Sequence, residues 1–204
     1  MFHFFKTHNL ILMLPLAFAL YYLAFEDTAI FWYMYTFSLL VLMSAGIIFN
    51  KVFDEMATWK SLIYGLFFGA LMYGILAAGF YLLKLTPFDI EGPAAAFLST
   101  FAPISLWHYL LLMFIIVPGE EIFWRGFVQQ QLKRYFSVKV SILISAVLFG
   151  LIFAICGFTP GILAGAIVGV ILGFLYEWKK SMPLLIIAHL ILIVLLFLIF
   201  PLAI

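Results

Sequence analysis

Read for polarity, the chain is a series of long apolar runs separated by short polar stretches. The runs show neither the two-residue alternation of a half-buried strand nor the single apolar stripe of a water-soluble helix. They are apolar on every side. A helix needs about 20 such residues, at about 1.5 Å each, to cross the hydrocarbon of a bilayer. By that measure seven spans are expected, at about 9–25, 29–49, 61–83, 104–131, 138–158, 160–176 and 182–203, with room for an eighth. The stretch GPAAAFLSTFAP, residues 92–103, is apolar but short and bounded by proline, so it is expected to lie at the interface or re-enter. An all-α, polytopic transmembrane helix bundle forming one domain over residues 1–204 is therefore expected.

Composition strengthens the membrane assignment. Hydrophobic residues make up 68% of the chain, charged ones 9%, and 25 residues are phenylalanine, too little polar surface to cover a globule in water. Mean hydropathy is +1.27. The formal charge of +1 comes without a dense basic cluster, which argues against a nucleic-acid partner. Membrane lipids are the expected surroundings. Cys156, the single cysteine, excludes an intrachain disulfide and is read as a packing residue. Ala17-Phe18-Ala19 has the small-x-small form of a signal cleavage site, but LYYLAF continues the apolar run beyond it, so a retained first span is expected.

Basic residues suggest an orientation. With a cytoplasmic N-terminus, Lys6, Lys51, Lys60, Lys133, Arg134, Lys139, Lys179 and Lys180 all fall inside, Lys84 falls outside, and Arg125 lies within a span. Two spans also carry spaced glycines. Gly161, Gly165, Gly169 and Gly173 recur every four residues, and Gly65, Gly69, Gly74 and Gly79 form a looser series. Both are expected to be helix-packing faces, since a stripe without side chains admits another backbone. Admission of a substrate chain is the lesser alternative.

The chemistry gathers in PGEEIFWRGF, residues 118–127. The run before it, residues 104–117, is too short to span comfortably, whereas IFW and GFV continue the apolar pattern up to Lys133 and Arg134. Glu120, Glu121 and Arg125 are thus expected inside the membrane, about 18 Å of helix above Leu132. Ionisable groups at that depth generally mark function. The four-residue step from Glu121 to Arg125 puts acid and base on one helix face, which leaves Glu120 for chemistry. His189, nine residues beyond Lys180, is expected at a comparable depth, about 13 Å from the same face.

These residues carry a resemblance. GEEIFWRGF resembles the first motif of the CPBP intramembrane proteases, the family of CAAX-processing prenyl endopeptidases and bacteriocin-processing or Abi proteins. ISAVLFGLIF, residues 144–153, is similar to the second-motif helix, and GVILGFLYEWKKSMPLLIIAHL, residues 169–190, to the third-motif region, so the CPBP-like core runs over about 104–195. The resemblance implies a helical membrane core in which a glutamate and a histidine activate water while a histidine and an asparagine hold the oxyanion. On this chain it implies Glu120 as general base, Glu121 and Arg125 as its support, and His189 in the oxyanion site. It also implies a peptide or membrane-protein substrate or partner, and the bacterial plasma membrane as location.

The chain departs from the family pattern twice. Phe153 stands where a histidine is expected four residues after Phe149, and Ile193 stands where asparagine or aspartate is expected four residues after His189. His108 lies about 18 Å along the helix from Glu120 and is read as a hydrogen-bonded histidine beside Trp107. His3 and His8 precede the first span. Two functions stay open: a glutamate-dependent intramembrane endopeptidase with weakened turnover, and a non-catalytic pseudoprotease acting as a scaffold, immunity or regulatory protein. A proton- or cation-coupled transporter lacks the broken helices and symmetric halves it would need. No cofactor is expected. Without an HExxH pair, no metal is expected either.

Overall fold

In hydrocarbon every backbone N–H and C=O must be paired within its own segment, so long apolar runs fold as helices. The computed structural model describes residues 9–202. The expectations for His3, Lys6, His8 and Ala203 fall outside them. Eight helices follow in order: α1 (Asn9–Glu26), α2 (Phe31–Phe49), α3 (Thr58–Lys84), α4 (Glu91–Phe101), α5 (Leu106–Leu132), α6 (Val138–Ile155), α7 (Thr159–Lys179) and α8 (Met182–Ile199). All but α4 are long and apolar enough to cross a membrane, which gives seven spans among the described residues. The chain is an integral membrane protein with an all-α fold. The 11-residue α4 is too short to cross and occupies the stretch expected to re-enter or lie at the interface.

The centre of the bundle is α5. From Gly119 to Gln129 every residue except Ile122 is buried, as expected of a helix enclosed on all sides. It is not a regular α-helix, for Leu112–Ile116 and Ile122–Val128 are wound as π-turns. Pro118 accounts for the first of these, because it has no N–H to give to the preceding turn and its ring crowds the carbonyl there. The second leaves carbonyls that side chains satisfy: Ser145 Oγ donates to Trp124 O at 3.1 Å and Asn50 Nδ2 to Gly126 O at 2.6 Å. These bonds fix the turn that bears Arg125 against α6 and the end of α2.

Glycine sets how closely the helices approach. A Cβ on Gly169 would lie 2.8 Å from both Cα and Cβ of Ala146, and one on Gly165 would lie 2.9 Å from the Phe153 ring and 3.1 Å from Gly150 Cα. The α7 stripe is thus a packing face against α6, as expected. The α3 series is so only in part. Gly65 and Gly69 meet Ile187, Ala188 and Ile191 of α8, whereas Gly74 and Gly79 have open space.

Contacts place the basic loops on one side of the bundle. Glu177 at the end of α7 accepts from Gln129, Gln130 and Lys133 of α5 and its extension, and pairs with Lys180. The loop after α2 is strapped to the α7–α8 turn, with Phe53 O accepting from Met182 N at 3.0 Å and Glu55 N donating to Lys180 O at 2.8 Å. Ser181 caps α8 by accepting from Leu184 N at 3.4 Å, so the strap also sets the height at which α8 begins. Cys156, at the end of α6, donates its thiol to Phe153 O, and burial pushes its pKa up, away from a reactive thiolate.

Gly169→Ala is expected to lower stability by about 1–3 kcal/mol through overpacking against Ala146. Gly74→Ala, whose Cβ meets nothing within 4 Å, should leave stability unchanged or raise it. Unfolding of the two variants in detergent, monitored by helix content, checks the contrast.

Candidate active site

Burying a carboxylate costs several kcal/mol unless donors surround it. The arrangement around Glu121 answers that demand. Its Oε1 accepts from Arg125 Nη1 at 2.9 Å, one helical turn along α5, and lies 2.7 Å from His189 Nδ1 on α8. Because a carboxylate only accepts, His189 must carry its hydrogen on Nδ1 in this contact. Arg125 is 1% exposed and Glu121 0%, so the pair is fully withdrawn from solvent. The guanidinium also lies over the Phe149 ring, 4.5 Å from its centroid, and that ring stands nearly perpendicular to His189 at 6.4 Å. Glu121 Oε2 and Arg125 Nη2 are buried without a protein partner, a pair of groups suited to ordered water.

Glu120 looks the other way. The hydroxyl of Tyr35 on α2 donates to its Oε1 at 2.5 Å, while His189 Nε2 lies 3.9 Å from its Oε2. The four residues singled out from the sequence, Glu120, Glu121, Arg125 and His189, therefore meet in one cluster. The imidazole bonds to Glu121, with Glu120 at the longer distance. Glu120 is not left unpartnered either, since Tyr35 holds it.

Glu120, Tyr35 and His189 line a cavity of about 180 Å³ whose remaining wall is almost wholly apolar. Phe153 and Ile193 form part of that wall. The two positions where the family pattern asks for polar groups thus face the same space as Glu120. Helix α4 contributes Phe97 and Phe101 to the wall, Phe97 stacking on Phe158 at 4.4 Å. His108 takes no part in the cluster. It stacks on Trp32, 4.3 Å between centroids, and accepts from Ile104 N at 3.3 Å, while Trp107 beside it is 74% exposed.

Tyr35 and Tyr21 escaped the sequence. Tyr21 accepts from Trp124 Nε1 at 3.3 Å and packs 5.6 Å from Tyr35. The available signal was the rule that a buried tyrosine needs a partner for its hydroxyl, but nothing local separates Tyr35, 8% exposed, from Tyr33, 73% exposed. Among the described residues no group of three or more His, Cys, Asp or Glu is arranged to hold a metal ion.

Residues 102–195 match a protein-family model described as Rce1-like: Type II CAAX prenyl endopeptidase Rce1-like. Over this stretch the chain is similar to that family. No curated protein and no solved structure matches the chain. The Rce1-like region runs from the approach to α5 into α8 and contains Glu120, Glu121, Arg125, Phe153 and His189. Tyr21 and Tyr35, on α1 and α2, lie before it.

Glu121→Gln removes the charge that Arg125 and His189 share. The loss of stability should be about 3–5 kcal/mol, the usual result of stranding a buried charge. Glu120→Gln, which keeps an acceptor for Tyr35, should cost less. Denaturant unfolding of both variants in the same detergent compares them.

Proposed function

We propose that the chain is an intramembrane endopeptidase of the CAAX-processing type, with Glu120 as the residue that activates water. The observation that carries this is the meeting of Glu120 Oε2 and His189 Nε2, 3.9 Å apart on the wall of an apolar cavity, from helices that are distant in sequence. Water held between them attacks the scissile carbonyl and gives its proton to this pair, which returns it to the leaving amine as the C–N bond breaks.

The tautomer refines the role of His189. With Nδ1–H given to Glu121, a neutral ring presents a lone pair at Nε2, so His189 serves better as the water-side partner of Glu120 than as an oxyanion donor. Glu121 then orients the imidazole, and Arg125 stabilises Glu121. An apolar cavity suits a peptide that brings a lipid-like or transmembrane portion with it. The face that carries Lys133 and Lys180 is taken as cytoplasmic, which with seven spans puts the N-terminus on that side, in a bacterial plasma membrane.

A second function has its own observation. Phe153 and Ile193 replace two polar groups of the family pattern and leave the cavity short of donors. A non-catalytic protein that holds a peptide or membrane protein in the same cavity would need neither.

Incubation of the purified protein with prenylated and unprenylated peptides separates the two. The endopeptidase predicts cleavage that Glu120→Gln reduces by at least about 10²-fold while the protein stays folded. Absence of cleavage, with a stable membrane partner in complex, would favour the non-catalytic function. Phe153→His puts an imidazole back on the cavity wall, and kcat/KM should rise by about 10-fold or more if that position limits turnover.

A further inference from the structure

An oxyanion forming in an apolar cavity needs donors close by, and the wall offers few. Besides Glu120 and His189, its polar side chains are Trp32 and Tyr35. Trp32 stacks flat on His108. Tyr35 places its hydroxyl 2.5 Å from Glu120 Oε1. Helix backbone N–H groups are already spent on the helices themselves.

We infer that Tyr35 is the oxyanion donor of this site, doing by a side chain from α2 what Ile193 cannot do. The inference rests on the endopeptidase function proposed above. Charge movement during the reaction explains how one hydroxyl serves both partners. In the resting site the negative charge sits on Glu120, and the hydroxyl donates to it. As water attacks, its proton passes to Glu120 Oε2, a new C–O bond forms, and the carbonyl π electrons move onto oxygen. The charge has then left the acceptor that Tyr35 was serving and reappeared on the oxyanion. The hydroxyl follows it by a small rotation without giving up its proton. Collapse returns the electron pair to the carbonyl, breaks the C–N bond and sends the proton to the amine.

The ring is held ready for this. Phe31 stacks on it at 5.2 Å, with Phe25 at 5.7 Å and Tyr21 at 5.6 Å. Donors that need no reorganisation are the effective ones for a developing oxyanion. The hydroxyl hydrogen can turn while the ring stays in place.

Tyr35→Phe removes the hydroxyl and keeps the packing. With the peptide that the wild-type protein cleaves, kcat should fall about 10²- to 10³-fold while KM changes little, and the unfolding temperature should drop because Glu120 loses its donor. Replacement of Tyr35 by 3-fluorotyrosine, which keeps the O–H donor, should restore most of the rate. Unchanged kcat in Tyr35→Phe, a loss confined to KM, or a loss matched by 3-fluorotyrosine would overturn the role of Tyr35 and leave the endopeptidase standing. Failure of the wild-type protein to cleave any peptide would overturn both.

Discussion

Two carboxylates adjoin one another in the middle of a membrane protein, and one guanidinium is within reach. That imbalance governs the bundle. Glu121 is neutralised by Arg125 one turn away, and a neighbour on α8 shares the same oxygen. Glu120 cannot be served from its own helix, so it draws a hydroxyl from α2. Two other helices, α2 and α8, are thereby tied to the turn of α5 at residues 120–125. The position of α8 follows from an imidazole that must reach a buried oxygen, as much as from apolar contact.

The helix that bears the charges is wound to suit them. A regular α-helix would point Glu120 and Glu121 about 100° apart and repeat its faces every three or four residues. The π-turns on either side widen the spiral, and the buried surface becomes continuous from Phe123 to Gln129. Freed carbonyls are satisfied by Ser145 and Asn50, polar residues whose positions on α6 and after α2 would otherwise have little purpose. Irregular winding, interhelical hydrogen bonds and charge placement belong to one arrangement. Such bulges are frequent at functional sites.

Much of this was legible in the sequence because it depends on local spacing. The seven spans follow from run length, the Glu121–Arg125 pair from a four-residue step, and the shared depth of His189 from counting residues to Lys180. What could not be read depends on rotation between distant helices. Tyr35 is 85 residues from Glu120 and stands only two positions from exposed Tyr33 in the same run. Which glutamate meets the imidazole is decided by how α8 turns about its axis, and no periodicity in LLIIAHLILIV encodes that. The α3 glycines show the same limit: even spacing suggested one face, but α8 covers only Gly65 and Gly69.

The α6–α7 contact has a consequence for how this cavity can change over time. Phe153 is more than a vacancy in a list of polar groups, because its ring lies across Gly161 and Gly165 and fills the hollow they leave. A smaller side chain there would uncover the glycines, and a larger residue at either glycine would collide with the ring. The three positions are bound to evolve together, each narrowing what the others tolerate. Any lineage that exchanges an aromatic for an imidazole at this spot should carry a matching alteration on the opposing helix, so the history of the pocket is written in α7 as well as in α6.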